Sequence, residues 1–287
     1  KITGGRAVIS GHILSDRADI FAANERGVNF LYKNVKGTFY DVASSYKVLD
    51  PFENGRGTAL ADVLYRGQLD IVTGNWDGEH RIFVERNNVF EDIASEDFKK
   101  PSKIRTVIVA DFDNDGYDEI FLNNIGEPNK LFKIKDNGQI EEIDITLNSE
   151  ANGLGTGAAV ADIDKDGILE LLIAHGENGN QILTLYKADI KKTKNFIRVK
   201  ALNKNGAPAR GATVTLISNL RNHSKTIDSG SGYLCQMEPV AHYGIREGEK
   251  DFKVEIKWTN GKVNEYKIDR IGKTYIFEQS KMSISPS

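Results

Sequence analysis

The sequence contains a single cysteine, Cys235, among 287 residues, together with only 2 tryptophans and 6 prolines. One cysteine excludes an intramolecular disulfide framework and a cysteine-rich zinc site. The sequence has no apolar run near the roughly 18 residues that a membrane-spanning helix requires. The formal net charge of −3 lacks the basic excess that is typical of nucleic-acid-binding proteins. We therefore expect no transmembrane segment and no nucleic-acid partner.

The sequence contains instead a repeat of about fifty residues, which is most visible in two acidic segments that begin at Asp111 and Asp162. Asp62 and Gly11 occupy the corresponding places in the two preceding units. Later apolar pairs and triplets recur in step, at residues 30–32, 82–84, 131–132 and 182–183. Each unit has four short runs rich in Val, Ile, Phe and Tyr that are separated by turn residues, which predicts four strands; in unit three the runs are residues 106–110, 119–123, 130–134 and 139–145. This pattern is typical of a β-propeller blade.

The repeat ends near residue 194, which divides the chain into two predicted domains. The first is a propeller domain, residues 1–194, with units at about 1–49, 50–100, 101–150 and 151–194. Residues 195–280 contain runs of alternating apolar and polar residues, joined by turns such as Asn205-Gly206, and they predict a small antiparallel β-sandwich. The predicted strands are residues 196–202, 213–218, 253–258, 263–268 and 274–278. Residues 281–287 are expected to be a flexible tail. The predicted fold class is all-β.

Acidic side chains stand at positions 1, 3, 5 and 9 of one loop in each of the last two units. They are Asp111, Asp113, Asp115 and Glu119 in unit three, and Asp162, Asp164, Asp166 and Glu170 in unit four. Carboxylates this close repel one another unless a cation neutralises them. Glycine at position 6 allows a sharp turn, and the carbonyl at position 7, from Tyr117 or Ile168, would add a ligand. The number of oxygen ligands favours Ca²⁺ over Mg²⁺, so the sequence predicts two calcium sites.

The loops differ from an EF-hand, which needs a bidentate Glu at position 12, where this chain has Leu122 and Ile173. They are predicted to be β-hairpin calcium loops. Units one and two lack enough carboxylates to bind an ion. In unit two we hypothesise that the guanidinium of Arg66 replaces the cation between Asp62 and Asp70.

The repeated Ala-Asp-x-Asp-x-Asp-Gly loop, which leads into a strand, resembles the FG-GAP/VCBS repeats of integrin-type propellers. Residues 230–244 (Gly-Ser-Gly-Tyr-Leu-Cys-Gln-Met-Glu-Pro-Val-Ala-His-Tyr-Gly) resemble the ASPIC/UnbV domain, as does the Trp-Thr-Asn-Gly segment at residues 258–261. The combination is similar to the cartilage acidic protein family. Because that family's propeller is expected to have about seven blades, the four units here are predicted to form the later half of it, a partial propeller.

The resemblance implies a secreted or cell-surface, extracellular or periplasmic protein that binds calcium, mediates protein–protein or adhesion-type contacts and is not an enzyme. The family's calcium ligands carry over only to the two intact loops. Because the chain begins at Lys1, a leader or upstream segment is expected to have been removed. The partner, a protein or a glycan, stays unidentified. Alternatives are a carbohydrate-binding or polysaccharide-lyase-like propeller and a structural surface-layer role.

Overall fold

A computed structural model describes residues 4–176, 179–190, 195–227, 235–280 and 285–286. These residues form strands and turns almost throughout, which confirms the all-β class. The helical elements in the described ranges are one turn of α-helix, α1 (Glu96–Lys99), and one 3₁₀ turn (Thr146–Asn148). The described residues include no helix that is both long and apolar enough to cross a membrane.

Four antiparallel sheets follow one another along the first part of the chain, one for each predicted unit. In each sheet the strands lie side by side in chain order. The strands are β1 (Gly4–Gly11), β2 (Asp19–Glu25), β3 (Phe30–Val35) and β4 (Thr38–Asp41) in unit one; β5 (Gly55–Ala61), β6 (Asp70–Asn75), β7 (Arg81–Arg86) and β8 (Val89–Asp92) in unit two; β9 (Ile104–Ala110), β10 (Glu119–Asn124), β11 (Lys130–Ile134) and β12 (Ile140–Ile143) in unit three; and β13 (Gly155–Ala161), β14 (Glu170–His175) and β15 (Thr184–Lys187) in unit four.

The four sheets are held together by apolar side chains between neighbouring units. Phe21 packs with Ile71 between units one and two, and Phe121 packs with Val160 between units three and four. The second strands β6 and β10 are buried along their whole length, because sheets cover both of their faces. Full burial of such side chains contributes about 1.5–3 kcal/mol each. The units therefore stabilise one another rather than fold alone.

The third strand of unit four lies later in the chain than predicted. β15 pairs Leu185 with Leu172, in the register that places Leu131 opposite Phe121 in unit three. The prediction that residues 182–183 correspond to residues 131–132 is therefore wrong, and the side chains of residues 182–183 are exposed. The segment Ile-Leu-Thr-Leu-Tyr offers apolar residues in two registers, and only the pairing with β14 decides between them.

The C-terminal part of the chain consists of two four-stranded sheets that share one apolar core around the buried Trp258. Strand order is β19-β16-β22-β23 in one sheet and β18-β17-β20-β21 in the other. Their bounds are β16 (Phe196–Leu202), β17 (Thr213–Ile217), β18 (Asn222–Thr226), β19 (Ala241–Gly244), β20 (Lys253–Lys257), β21 (Val263–Lys267), β22 (Lys273–Glu278) and β23 (Ser285–Pro286).

The first of these sheets corrects the prediction of a wholly antiparallel domain. β16 pairs with β22 in parallel, with Ile197 opposite Lys273. Alternating polarity predicts a strand but not the direction of its partner, and parallel pairing requires a long crossover, which here contains the second sheet. Of the predicted tail, residues 281–284 and 287 lie outside the described residues, and Ser285–Pro286 pairs with β22.

Candidate metal centres in the unit loops

The loop between the first and second strands has the same turn in units two, three and four. Position 6 is a glycine with a left-handed backbone, at φ 86°, 87° and 88° in Gly67, Gly116 and Gly167. Position 4 is also left-handed, at φ 51°, 58° and 64° in Tyr65, Asn114 and Lys165. The φ at position 6 lies beyond the small left-handed region that other residues can adopt, so the turn requires glycine there. The turn itself does not depend on how many carboxylates the loop has.

In unit three, Asp111, Asp113 and Asp115 each bring a carboxylate oxygen within 4.8 Å of the others. Asp111 is fully buried, and its Oδ2 accepts a hydrogen bond from the Gly116 amide at 2.9 Å. Its Oδ1 has no hydrogen-bond donor among the described residues. Burial, and next the charge of Asp118, raise the pKa of Asp111 to about 7. The predicted residues therefore converge, with one buried oxygen still available to a cation.

Glu119 completes the predicted set of unit three from the start of β10. Its Oε2 accepts a hydrogen bond from the Phe112 amide at 2.9 Å, which directs the carboxylate towards the loop. Burial, and next the charge of Asp111, raise the pKa of Glu119 well above its usual range. The Tyr117 amide donates to Asp115 Oδ1 at 2.9 Å, so position 7 also belongs to the turn.

Unit four repeats this arrangement. Asp162, Asp164 and Glu170 bring carboxylate oxygens within 4.8 Å of one another. Asp162 Oδ1 is buried and, in the described ranges, receives no hydrogen bond. Glu170 Oε2 accepts from the Ile163 amide at 2.7 Å, and Asp166 Oδ1 accepts from the Ile168 amide at 2.9 Å. In each of the two loops, three of the four predicted acids therefore bring their oxygens together.

Each cluster encloses a lysine that the sequence prediction missed. Lys133 Nζ lies 2.8 Å from Asp113, 2.6 Å from Asp115 and 2.9 Å from Glu119. The lysine is directly opposite Glu119 in the pairing of β10 with β11. Although burial acts in the other direction, these carboxylates, Glu119 foremost, raise the pKa of Lys133. The ammonium is therefore charged at neutral pH.

Lys187 occupies the same place in unit four. Its Nζ lies 2.7 Å from Asp164, 2.9 Å from Asp166 and 2.6 Å from Glu170. The hydrogen bond from Lys187 is the main reason that the pKa of Asp164 is lowered. Aligning residues 185–187 with residues 131–133 would have revealed both lysines. The incorrect register at 182–183 concealed them.

Unit two uses an arginine. Arg66 Nη2 lies 2.8 Å from Asp70 Oδ1, which confirms the hypothesised pairing for that carboxylate. Asp62 instead accepts hydrogen bonds from the Arg66 and Gly67 amides at 2.9 and 2.7 Å. Burial raises the pKa of Asp62 to about 6 and that of Asp70 to about 7.

The unit-one loop lacks acids at positions 1, 3 and 5; it has Asp16 at position 6, which pairs with Lys257 Nζ at 2.8 Å, and Asp19 at position 9. Asp19 Oδ2 accepts hydrogen bonds from the Leu14 and Ser15 amides at 2.6 and 2.9 Å, and Oδ1 accepts from the Ser15 hydroxyl at 2.7 Å. These neutral donors satisfy the carboxylate without a cation.

The C-terminal sheets contact the loops of all four units, which sequence reasoning did not foresee. The first acid in three loops is bound there: Asp62 by the Ser224 amide at 3.0 Å, Asp111 by the Gly244 amide at 3.0 Å and Asp162 by Arg198 Nη1 at 2.8 Å. In unit one, His12 Nδ1 lies 2.8 Å from Thr213 Oγ1. A Cβ atom on Gly244 would lie 2.1 Å from Asp111 Oδ2, so the main chain can come this close to Asp111 only with glycine at position 244.

Asn114, at position 4 of the unit-three loop, joins three parts of the molecule. Its Nδ2 donates to the Gly167 carbonyl at 2.7 Å, which links the two acidic loops. Its Oδ1 lies 2.6 Å from His242 Nε2, and its carbonyl accepts from Asn195 Nδ2 at 2.9 Å. These hydrogen bonds connect both acidic loops with the C-terminal sheets in one joint. Asn114, at the centre of the joint, is buried.

Comparison with known proteins agrees with this two-part architecture. The model for the FG-GAP-like repeat matches residues 62–122 and 111–173, and the model named ASPIC and UnbV matches residues 202–284. Cartilage acidic protein 1 is 45% identical in Xenopus tropicalis, 46% in Homo sapiens and 45% in Mus musculus, over 278 residues. The chain therefore contains FG-GAP-like repeats followed by an ASPIC/UnbV domain. The alignments cover 92% of this chain and 42–43% of the relatives, so it spans about two fifths of their length.

The matched regions contain the site. Both acidic loops lie within the FG-GAP matches, and the ASPIC/UnbV match includes Ser224 and Gly244, which contact those loops. Arg198 lies just before the matched region. Among solved structures, a mutant of AofleA from Arthrobotrys oligospora is 11% identical with a TM-score of 0.40, over 94% of this chain and 88% of that one.

Proposed function

We propose that this is an extracellular, calcium-stabilised protein that mediates protein–protein or adhesion-type contacts and has no catalytic activity. Its FG-GAP units would be blades of a β-propeller, and the ASPIC/UnbV sheets a sandwich that packs on one end of it. The two converging carboxylate clusters carry the proposal. The relationship to cartilage acidic protein 1 supports the extracellular, adhesion-type role.

The residues of both loops fit a calcium ion. In unit three the ligands would be Asp111, Asp113, Asp115, the Tyr117 carbonyl and Glu119; in unit four, Asp162, Asp164, Asp166, the Ile168 carbonyl and Glu170. Asp111 Oδ1 and Asp162 Oδ1 are buried and lack a hydrogen-bond donor in the described part of the chain, as expected of oxygens that bind a cation. Bound calcium would neutralise these neighbouring carboxylates, which repel one another.

The location of the clusters indicates what calcium would stabilise. Asp111 and Asp162 also contact the ASPIC/UnbV domain, through Gly244 and Arg198. An ion that holds these carboxylates in place therefore supports the joint between the domains as well as the loop. Binding only to the folded state adds RT ln(1 + [L]/Kd), which is about 2.7 kcal/mol at a hundredfold excess over Kd. A rigid joint would keep the outer surfaces in a constant arrangement for a partner.

The environment of the histidines supports a non-catalytic role. His12, His80, His223 and His242 are buried, and burial lowers the pKa of each. At least one ring nitrogen of each contacts a neighbouring protein group, as His223 Nε2 does with Asp118 Oδ2 at 2.9 Å. Such imidazoles stay neutral and do not exchange protons with a substrate.

Calcium titration by calorimetry, together with melting curves in calcium and in EDTA, tests the proposal. The wild type should bind two ions per chain and melt at a higher temperature in calcium. Asp113→Ala and Asp164→Ala should each remove one ion, whereas Ser15→Ala, at position 5 of the unit-one loop, should remove none. Absence of binding heat together with EDTA-insensitive melting would contradict the calcium role. Selective binding or cleavage of a polysaccharide would instead favour the carbohydrate alternative.

A further inference from the structure

We propose that Lys133 and Lys187 are built-in cations that hold the acidic loops together without calcium, and that Ca²⁺ binds by displacing them. The inference rests on the proposed calcium role and adds how the sites respond to calcium. It makes each loop a two-state element, with either the lysine ammonium or the ion among the carboxylates.

The same three loop positions surround the ammonium in both units. Each Nζ lies within 2.9 Å of the acids at positions 3, 5 and 9. Lys133 donates hydrogen bonds to Asp113 and Asp115, Lys187 donates to Asp164, and the remaining acids contact the ammonium as ion pairs. These oxygens are also the ones that a calcium ion would need, and two cations a few ångströms apart would repel strongly. The lysine and the ion therefore exclude each other.

The other units differ from units three and four in their acids, in their cation or in both. In unit two, Arg66 of the loop contacts Asp70, and the strand position of the lysine holds Val84, as the pairing of Phe83 with Ile71 shows. In unit one, Lys33 follows Tyr32, which pairs with Ile20, so it occupies the position of Lys133. The unit-one loop has no acid at position 3 or 5. A lysine enclosed by three carboxylates thus occurs in the described units that have the full acidic loop.

The open side of each loop gives the ammonium a way out. The side chains at positions 3 and 5 are 37% and 43% exposed in unit three, and 60% and 36% exposed in unit four. A lysine side chain is long enough to keep its stem packed while its ammonium moves into solvent. Calcium then binds to the fraction of loops from which the lysine has left, which weakens its apparent affinity by that fraction. The loop is held closed in either state.

The test replaces both lysines by methionine, which keeps the length of the side chain and removes the charge. If the lysine is displaced in at most a tenth of the calcium-free loops, the calcium Kd of Lys133→Met/Lys187→Met should fall about tenfold or more by calorimetry. Its melting temperature in EDTA should also fall, because the acids at positions 3, 5 and 9 lose the ammonium that contacts them in that state. Lys33→Met is the matched control and should change neither quantity.

A second measurement keeps the inference testable should the double variant fail to fold. In the wild type, acetylation by acetic anhydride, followed by mass spectrometry, should be slow at Lys133 and Lys187 without calcium. It should become several-fold faster with calcium, while the rate at Lys33 stays the same. Rates at Lys133 and Lys187 that are indifferent to calcium would overturn the exchange.

The outcomes separate this inference from the proposed function. Two bound calcium ions in the wild type with an unchanged Kd in the double variant would leave the calcium role intact and overturn the exchange. No calcium binding to either protein would overturn both proposals.

Discussion

In unit two the loop from Asp62 to Asp70 encloses an arginine of its own, whereas in unit three the loop from Asp111 to Glu119 encloses a lysine from the adjacent strand. The backbone is the same in both, with left-handed residues at positions 4 and 6. The turn is therefore set by its glycine and by the main-chain amides that donate hydrogen bonds to the acid at position 1. The remaining side chains can change from ion ligands to an ion pair without altering the turn.

The two loops also share their contact with the ASPIC/UnbV domain. Asp62 and Asp111 each accept a hydrogen bond from a main-chain amide of that domain, at 3.0 Å in both cases. This first acid is present in units two, three and four, although the acids at positions 3 and 5 are missing from unit two. Position 1 thus contacts the ASPIC/UnbV domain in all three units, while the acids at positions 3 and 5 distinguish the two proposed calcium loops from the loop of unit two.

Unit two can be converted to the type of unit three by restoring the two missing acids. Leu64→Asp/Arg66→Asp should bind a third calcium ion, because Asp62, Gly67 and Asp70 are already in place. At a hundredfold excess over Kd, that ion should stabilise the variant by about 2.7 kcal/mol relative to its calcium-free form. Calorimetry gives the number of ions. The uncharged control Leu64→Asn/Arg66→Asn should bind two, and equal stoichiometry in both variants would show that the sequence of the loop alone does not make a site.

Removing Arg66 tests whether the loop of unit two depends on its own ion pair rather than on calcium. Arg66→Met leaves the buried Asp70 without its cation and should cost about 2 kcal/mol of unfolding free energy at pH 8. This is less than the loss for a fully buried pair, because Arg66 is 28% exposed. The loss should be independent of calcium.

The pH dependence of the Arg66→Met loss follows from Asp70. Burial raises the folded-state pKa of Asp70 to about 7, so the folded protein retains a proton there that the unfolded chain releases from about pH 4 upward. Below pH 7 the neutral carboxyl group needs no cation, and the penalty should shrink at pH 5. Denaturant unfolding at pH 5 and 8 measures this, and equal losses at both values would contradict it.

A third difference between the units concerns the residue that accepts a hydrogen bond from the end of the second strand. Asn29 and Asn129 accept from the amides of Asn24 and Asn124 at 3.1 and 2.8 Å, and in unit two His80 Nδ1 accepts from Asn75 at 3.0 Å. Burial lowers the pKa of His80 to about 4. Its contribution to stability is therefore complete above the unfolded value of about 6.5 and is lost as the pH falls.

His80→Asn gives unit two the residue of its neighbours and should remove this acid sensitivity. The wild type should lose about 1.4 kcal/mol through His80 between pH 7.5 and 5.5, because one pH unit below 6.5 corresponds to that free energy. The variant should lose that much less over the same range in denaturant unfolding. An identical pH dependence in the two proteins would show that His80 is protonated without cost in the folded state.

Much of the fold could be predicted because strand signals are local. The bounds of β11 and β16, residues 130–134 and 196–202, agree with the predicted runs residue for residue. The strands β18 and β19 were missed, since Asn-His-Ser-Lys-Thr and Ala-His-Tyr-Gly have weak β patterns and become strands through pairing with β17 and β16. Tertiary contacts decide such segments.

The candidate site divides in the same way. The acids converge as their spacing predicts, because alternate residues of a tight turn point to one side. Lys133 was missed although it lies in a predicted strand, since only the pairing register places it opposite Glu119. The contact between Asp111 and Gly244 joins residues far apart in the chain, and no local pattern indicates it.

The sequence by itself determined the all-β class, the repeated units, the acidic loops and the turn that their glycines require, because each depends on residues within a few positions of one another. Only the tertiary structure decided which cation lies in each loop, which direction β22 takes beside β16, and where the ASPIC/UnbV domain contacts the FG-GAP units. The physical reason is that pairing register and domain contact depend on surfaces that exist only after the sheets have formed. Local propensity does not contain that information.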